Sequence, residues 1–141
     1  MGSGRRVYVD TSAYLAVLLE EEHSRAAAKE LGAAGQFLSS ALLILEVRRA
    51  LVHRSRIGKL PPERYQSATE RFLEDLRVFR LRPLSSELCL EARLPNVSTP
   101  RSLDLAHLST ALWFHAEQPL DRFLSLDQDQ LQAARELGLP V

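Results

Sequence analysis

The chain has 141 residues, of which 45% are hydrophobic and 26% charged, and its 18 Lys and Arg balance its 18 Asp and Glu. This composition excludes a disordered chain, and the balanced charge excludes a strong overall attraction to nucleic acid or membrane. No apolar stretch reaches the roughly 18 residues of a membrane span, and no signal peptide is expected because the first apolar run stops at Asp10. The single Cys89 excludes an internal disulfide framework, fits a cytoplasmic location and is expected to be a small buried hydrophobe.

The first half of the chain predicts two strands, each followed by helices. Residues 6–10 (RVYVD) are β-branched and aromatic, which indicates a strand. A helix capped by Thr11 and Ser12 is predicted to run to about residue 24, and a further helix continues to the glycines near residue 35. Residues 36–40 predict a second strand, and a long helix from about 41 to 57 stops at Gly58. In the first helix, Tyr14, Leu15 and Leu18 fit a dimer face and a core equally well.

The second half repeats this alternation. Pro61 and Pro62 begin a helix with apolar residues at helical spacing. A third strand is predicted at 78–84, a short helix at 85–94, a loop around Pro100, a helix at 103–117, a fourth strand at 122–126, a last helix at 127–137 and a short edge strand at 139–141. Alternating strands and helices imply right-handed crossovers. We therefore predict one α/β domain over residues 1–141, a three-layer α/β/α sandwich with a mainly parallel sheet of four or five strands.

Four acidic residues stand where their carboxylates would point to one place. Asp10 and Asp127 end predicted strands, Asp104 opens the helix LDLAHLSTAL, and Glu46 lies within the apolar helix ALLILEV. In an open parallel sheet, ligands bind outside the carboxyl ends of the strands. Carboxylates gathered there repel one another unless a cation neutralises them, and hard oxygen ligands suit Mg²⁺ or Mn²⁺. The pattern therefore predicts a metal site at this edge.

Three of these acids also have ordinary structural interpretations. Asp10 and Asp127 could each cap the helix that follows. Asp104 could be a first-turn acid stabilised by the helix dipole. Asp129, two residues after Asp127, is a second candidate for the fourth acid of the site. His107 would share a helix face with Asp104, where it could hold a carboxylate or contact substrate, although a core or surface histidine is the more frequent case.

Glu46 interrupts an apolar stretch, so its carboxylate is expected to be buried. Burying a carboxylate is costly unless the group is paired or bound to a metal ion. A metal ligand is therefore the favoured interpretation, and an ion pair with Arg48 or Arg49 is the alternative.

A basic stripe follows Glu46 on the same helix. Residues 47–62 contain five Lys and Arg, one His and no acid. Arg49, His53 and Arg56 follow Glu46 at spacings of 3, 4 and 3, so the four residues line one helix face. Such a stripe could position a phosphate backbone, or it could be a solvated face or a protein contact.

Several other site types lack their main features. No glycine-rich loop follows the first strand, which argues against a P-loop or a dinucleotide site. The four His are scattered and pair with no Cys that would make a zinc site, and Ser12 has no partners for a catalytic triad.

Four blocks occur in order along nearly the whole chain: YVDTSAYLAVL, SSALLILEVRRAL, SLDLAHLSTAL and FLSLDQDQLQAARELGLPV. Together they resemble the PIN-domain family, most closely its VapC-type toxins from bacterial and archaeal toxin–antitoxin pairs. The resemblance implies a metal-dependent endoribonuclease with one or two Mg²⁺ or Mn²⁺ ions. It places the family's acids on Asp10, Glu46, Asp104 and Asp127, the last supported by Gln130 three residues on, and a supporting hydroxyl on Ser12.

The resemblance also implies a homodimer and a VapB-type antitoxin whose tail enters the active-site groove. The expected function is hydrolysis of RNA phosphodiester bonds by metal-activated water, with Arg49 and the basic stripe positioning RNA without reading its sequence. Two alternatives are a non-catalytic PIN-like module that binds RNA or protein, and a phosphohydrolase acting on small molecules or DNA.

Overall fold

The computed structural model of the chain describes residues 4–91, 97 and 101–141, and its centre is a parallel β-sheet. The strands are β1 Arg5–Val9, β2 Ala34–Ser40, β3 Phe79–Arg82 and β4 Arg122–Leu124, in the order β3-β2-β1-β4. Every neighbouring pair is parallel. The predicted parallel sheet is therefore confirmed, with four strands in the described part of the chain.

Helices connect the strands at nearly the predicted positions. They are α1 Thr11–Leu18, α2 Arg25–Ala33, α3 Leu42–Arg56, α4 Pro62–Asp75, α5 Ser86–Leu90, α6 Ser102–Glu117 and α7 Gln128–Glu136. The first helix is shorter than predicted because Glu20 adopts a left-handed conformation, with φ of 53°, which an α-helix cannot contain. A 3₁₀ turn at Glu22–Ser24 then leads into α2.

Helices cover both faces of the sheet. Successive side chains of each strand point to opposite faces, so each strand contributes to two cores. Val7 and Val9 of β1 face a core built with α1, α3 and α4, whereas Tyr8 faces a second core built with α6 and α7. Tyr14 and Leu18 are buried in the first core. Of the two interpretations of this face of α1, a dimer face or a core, the structure of the chain therefore favours the core.

A buried arginine ties the start of β1 to its neighbours. Arg6 is only 3% exposed, and its guanidinium donates to the Phe114 carbonyl at 3.2 Å and to Gln36 at 3.0 Å. Its backbone N–H donates to the Asp121 carboxylate at 2.7 Å. These bonds fix β1 against β2, α6 and the turn before β4, and so fix the strand that leads into Asp10.

Two local predictions are wrong. Residues 139–141 form no strand: the Phe123 N–H donates to the Pro140 carbonyl, but a proline has no N–H with which to continue a ladder. Cys89 is exposed, because the short helix α5 turns its neighbour Leu88 into the core instead. The end of the predicted helix at 85–94 and the loop around Pro100 lie outside the described residues. None of the described helices is long and apolar enough to cross a membrane.

Candidate active site

Asp10 stands directly after β1, at the carboxyl edge of the sheet. Its backbone N–H donates to the Leu124 carbonyl of β4 at 2.9 Å. Its Oδ2 atom accepts hydrogen bonds from Ser125 at 2.7 Å and from Ser12 at 3.0 Å. Although Asp10 occupies the N-cap position of α1, its side chain makes no capping hydrogen bond. The carboxylate is therefore held by two hydroxyl groups and does not cap the start of the helix.

Glu46 reaches the same region from α3. Its Oε1 atom accepts hydrogen bonds from Nε2 of His107 at 2.7 Å and from the Thr11 hydroxyl at 2.8 Å. The expected burial is only partial, since the Glu46 side chain is 26% exposed and the adjacent Leu45 faces solvent. The ionic partner of Glu46 is His107, from a different helix, and not an arginine of its own helix.

His107 lies beneath these two acids and is 1% exposed. Its Nδ1 atom is 2.8 Å from the Tyr8 hydroxyl, and its Nε2 atom is 3.8 Å from Oδ1 of Asp10. The structure thus brings Asp10, Glu46 and His107 together from β1, α3 and α6. His107 can carry a positive charge and the two acids a negative one, so the charge state of His107 affects the pKa of Glu46, and the charges of both acids affect the pKa of His107.

The pKa values of Glu46 and His107 are moved in opposite directions by their contact. Burial alone raises the pKa of Glu46, but the hydrogen bond and charge of His107 and the Thr11 hydroxyl outweigh burial, so this pKa is lowered. Burial alone lowers the pKa of His107, but the hydrogen bond to Glu46 and the charges of the nearby acids outweigh it, so this pKa is raised. Both shifts favour the ion pair.

These shifts predict a bell-shaped pH dependence for the contribution of Glu46 to stability. Glutamate with a lowered folded pKa stabilises above its unfolded value, and histidine with a raised folded pKa stabilises below its unfolded value. The destabilisation by Glu46→Gln should therefore be largest between the two unfolded pKa values, at about pH 4.3 and 6.5. It should decrease as the pH falls through the folded pKa of Glu46 or rises through that of His107.

The measurement is the free energy of unfolding in urea at several pH values, for the wild type and for Glu46→Gln. Glu136→Gln, an exposed substitution at the end of α7, serves as the control and should show no such maximum. A Glu46→Gln effect that is independent of pH would contradict the ion pair.

The other two predicted acids are Asp104, in the first turn of α6, and Asp127, the residue directly before α7. Burial raises the pKa of Asp104, and the charges of Asp10 and then of Asp127 raise it further, against the opposing charges of Arg101 and His107. Carboxylates whose charge raises the pKa of a neighbouring carboxyl lie close enough to repel it. Asp10, Asp104 and Asp127 therefore share one negative field.

Asp127 caps the helix that follows it, as the capping interpretation anticipated. It is the N-cap of α7, and its Oδ1 atom accepts hydrogen bonds from the backbone N–H groups of Asp129 at 2.9 Å and of Gln130 at 3.4 Å. The Gln130 side chain, 1% exposed, donates from Nε2 to the Asp104 carbonyl at 3.0 Å. Gln130 thus links the acid that begins α7 to the acid in the first turn of α6, whereas Asp129 is exposed.

The oxygen atoms at this edge have the chemistry of a hard-cation site, although they are not assembled as one. Among residues 4–91, 97 and 101–141, no three Asp, Glu, His or Cys side chains are close enough together to hold a metal ion. Within those residues, each of four carboxylates keeps at least one oxygen that accepts no hydrogen bond: Asp10, Glu46, Asp104 and Asp127. Carboxylates gathered in this way repel one another, and a divalent cation would relieve that repulsion.

The basic stripe lies outside this group. Arg49 is exposed and lines a shallow depression on α3 together with Leu45, Arg48, Val52, His53 and Arg56. Glu46, one helical turn before Arg49 on α3, does not line that depression. Arg54, one of the five cations of the segment, pairs with Glu21 at 3.0 Å.

The PIN domain family model matches residues 7–136, which include all four acids, strands β2, β3 and β4, and the last three residues of β1. The chain belongs to the PIN-domain family. PIN domains are generally nucleases and typically use divalent metal ions, so membership indicates a hydrolase that acts on nucleic acid. No match was found among curated proteins.

Sequence reasoning missed three polar side chains of this PIN domain that contact its acids or their supports. Thr11 was considered only as a helix cap, yet its hydroxyl donates to Glu46. Ser125, two residues before Asp127, donates to Asp10. Tyr8 contacts His107. The only available signal was position, because Tyr8 and Ser125 lie two residues before predicted site acids and side chains two apart on a strand share a face.

Proposed function

We propose that this PIN domain is a metal-dependent endoribonuclease that hydrolyses RNA phosphodiester bonds, and that it is the toxin of a VapBC-type pair. The observation that carries the proposal is the shared negative field at the carboxyl edge of the sheet, in which Asp10 and Asp127 both raise the pKa of Asp104. Nuclease activity follows from family membership. The choice of RNA and the toxin role rest on the sequence resemblance.

Mg²⁺ or Mn²⁺ is the proposed cofactor. Asp10, Glu46 and Asp104 would hold the first ion, and Asp127 would complete its shell or help to hold a second. When bound, such an ion supplies a water of lowered pKa and stabilises charge on the scissile phosphate. Asp127 is preferred to Asp129 as the fourth acid for two reasons. Asp129 is exposed to solvent, and of these two acids it is Asp127 whose charge raises the pKa of Asp104.

The chain's own residues supply orientation. Hydroxyl groups of Ser12 and Ser125 hold Oδ2 of Asp10, which leaves Oδ1 directed to the side of His107. On the other acid, His107 and Thr11 hold Oε1 of Glu46. Two acids from different layers are thereby fixed before any ligand arrives, which lowers the entropy cost of assembling the site.

Arg49 and the other cations of the α3 depression are the proposed contacts for the RNA backbone. They would add affinity that is independent of sequence and weakens with salt. The resemblance further leads us to propose a VapB-type antitoxin, a homodimer and a cytoplasmic location.

A non-catalytic module that binds RNA or protein is the second candidate. It is favoured by one observation: within the described residues the carboxylates are not close enough together to hold a metal ion as they stand. Its partner surface would be the α3 depression, where exposed Leu45 and Val52 lie among arginines.

Purified protein incubated with a cellular RNA pool tests the proposal. We expect cleavage with Mg²⁺ or Mn²⁺ and none with EDTA, and no comparable turnover of single-stranded DNA or a phosphomonoester in parallel reactions. Cleavage of DNA or the monoester alone would identify a different phosphohydrolase. Folded protein, free of any bound antitoxin, that binds RNA but cuts nothing with either metal would identify the non-catalytic module.

A further inference from the structure

A fully buried tyrosine lies two residues before the first acid and has no role in the mechanism above. Tyr8 is 0% exposed in the middle of β1, on the face of the sheet that α6 and α7 cover. We propose that Tyr8 is a positioning residue of the active site, whose hydroxyl fixes the His107 ring so that His107 holds the Glu46 carboxylate. The catalytic consequence rests on the proposed nuclease function, whereas the hydrogen-bond chain rests on geometry alone.

The Tyr8 ring is held on several sides and cannot easily turn. It stacks on Phe123 with ring centroids 5.4 Å apart and an interplanar angle of 1°. Phe114 packs against it at 6.3 Å, and His107 meets it edge-on at 5.9 Å and 79°. Because the ring is fixed, the position of its hydroxyl, 2.8 Å from Nδ1 of His107, is fixed as well.

The proton on the far side of the imidazole can be assigned from chemistry. A carboxylate only accepts hydrogen bonds, so Nε2 of His107, 2.7 Å from Oε1 of Glu46, carries the proton and donates. Nδ1 then faces Tyr8 in either charge state of the ring. A flip of the imidazole would lose both bonds in a buried site, which is costly.

The chain of bonds crosses from one layer of the sandwich to the other. Tyr8 and His107 belong to the side of α6, whereas Glu46 is on α3, whose apolar residues pack in the core on the opposite face of the sheet. Glu46 is partly exposed and has a flexible side chain, so packing alone does not fix its carboxylate. Groups that orient a metal ligand in this way set its direction and basicity.

Tyr8→Phe removes only the hydroxyl and is the main test. Tyr65→Phe, the same change at a partly buried residue of α4 that packs against the other core, is the matched control. In ¹⁵N spectra of the histidine side chains, without metal, we expect the Nε2 signal of His107 to shift or broaden in Tyr8→Phe and to stay unchanged in Tyr65→Phe. The spectrum of His107→Gln identifies that signal among those of the four histidines.

Mn²⁺ binding, measured by calorimetry, gives a second readout. Replacing groups that support metal ligands typically weakens binding by about 10- to 100-fold, and Tyr8→Phe, which acts through His107, should fall near the lower end. His107→Gln places an amide nitrogen near the position of Nε2 and should keep most of the affinity. His107→Asn places its nitrogen nearer Nδ1 and should lose it, a difference that a merely space-filling role would not produce.

An unchanged His107 signal in folded Tyr8→Phe would overturn the proposal. So would Mn²⁺ affinities equal to the wild type in Tyr8→Phe and equal for the Gln and Asn variants of His107. If the wild type neither binds Mn²⁺ nor cuts RNA, the proposed function fails, and the metal-free spectrum still decides whether Tyr8 fixes His107.

Discussion

Asp10→Asn is expected to lower RNA cleavage by more than about 100-fold, because changes to groups that merely support metal ligands already cost about 10- to 100-fold. The substitution keeps the shape of the side chain and removes its charge. An amide is a weaker ligand for a hard cation than a carboxylate. Asp10 is also the acid that the hydroxyl groups of Ser12 and Ser125 orient. Among the nearby charges, that of Asp10 raises the pKa of Asp104 the most.

The fold should survive this change. The Asp10→Asn variant loses one negative charge from a cluster whose members repel, so the pKa of Asp104 should move back towards its ordinary value. Cleavage rate is the main measurement, and unfolding in urea checks the fold. Glu136→Gln, also a carboxylate-to-amide change but exposed at the end of α7, should cut RNA like the wild type.

Expression in a bacterial host provides an independent readout of the proposed toxin role. We expect the wild type to stop growth and Asp10→Asn to allow it. If Asp10→Asn cleaves RNA at the wild-type rate, the assignment of Asp10 to the active site is wrong. Growth arrest that persists in Asp10→Asn, together with lost cleavage, would separate toxicity from nuclease activity.

Phe123→Ala is expected to lower the free energy of unfolding by about 3–5 kcal/mol, the usual cost of removing a buried phenylalanine. Phe123 is 1% exposed on β4, a strand of three residues at the edge of the sheet. Its ring stacks on Tyr8 of the neighbouring strand β1. The loss therefore combines a cavity with a missing aromatic contact.

Urea denaturation measures this effect. Leu73→Ala is the control, because Leu73 is an apolar residue on α4 that is 59% exposed, and its truncation should cost less than about 1 kcal/mol. Equal costs for the two variants would contradict the packing of β4 against β1. At temperatures where Phe123→Ala remains folded, the Tyr8 ring should be less firmly held. We expect this to shift or broaden the ¹⁵N signal of His107 Nε2.

Local signals in the sequence were sufficient for most element positions and insufficient for some ends. Pro61 and Pro62 set the start of α4 at Pro62 as predicted, because a proline at the first helical position favours that start. The end of α1 was missed because the left-handed conformation at Glu20 carries no glycine or proline signal. Cys89 was misplaced because a five-residue helix offers too little periodicity to tell its buried face.

The sequence by itself determined the alternation of strands and helices, and therefore a parallel sheet with Asp10 and Asp127 at its carboxyl edge. Those features follow from short-range periodicity and from the handedness of crossovers. Only the tertiary structure decided the partners of the acids. Ser125 is 115 residues from Asp10, and His107 is 61 residues from Glu46. Such contacts are set by how the helices pack on the sheet, and no local pattern of residues encodes that packing.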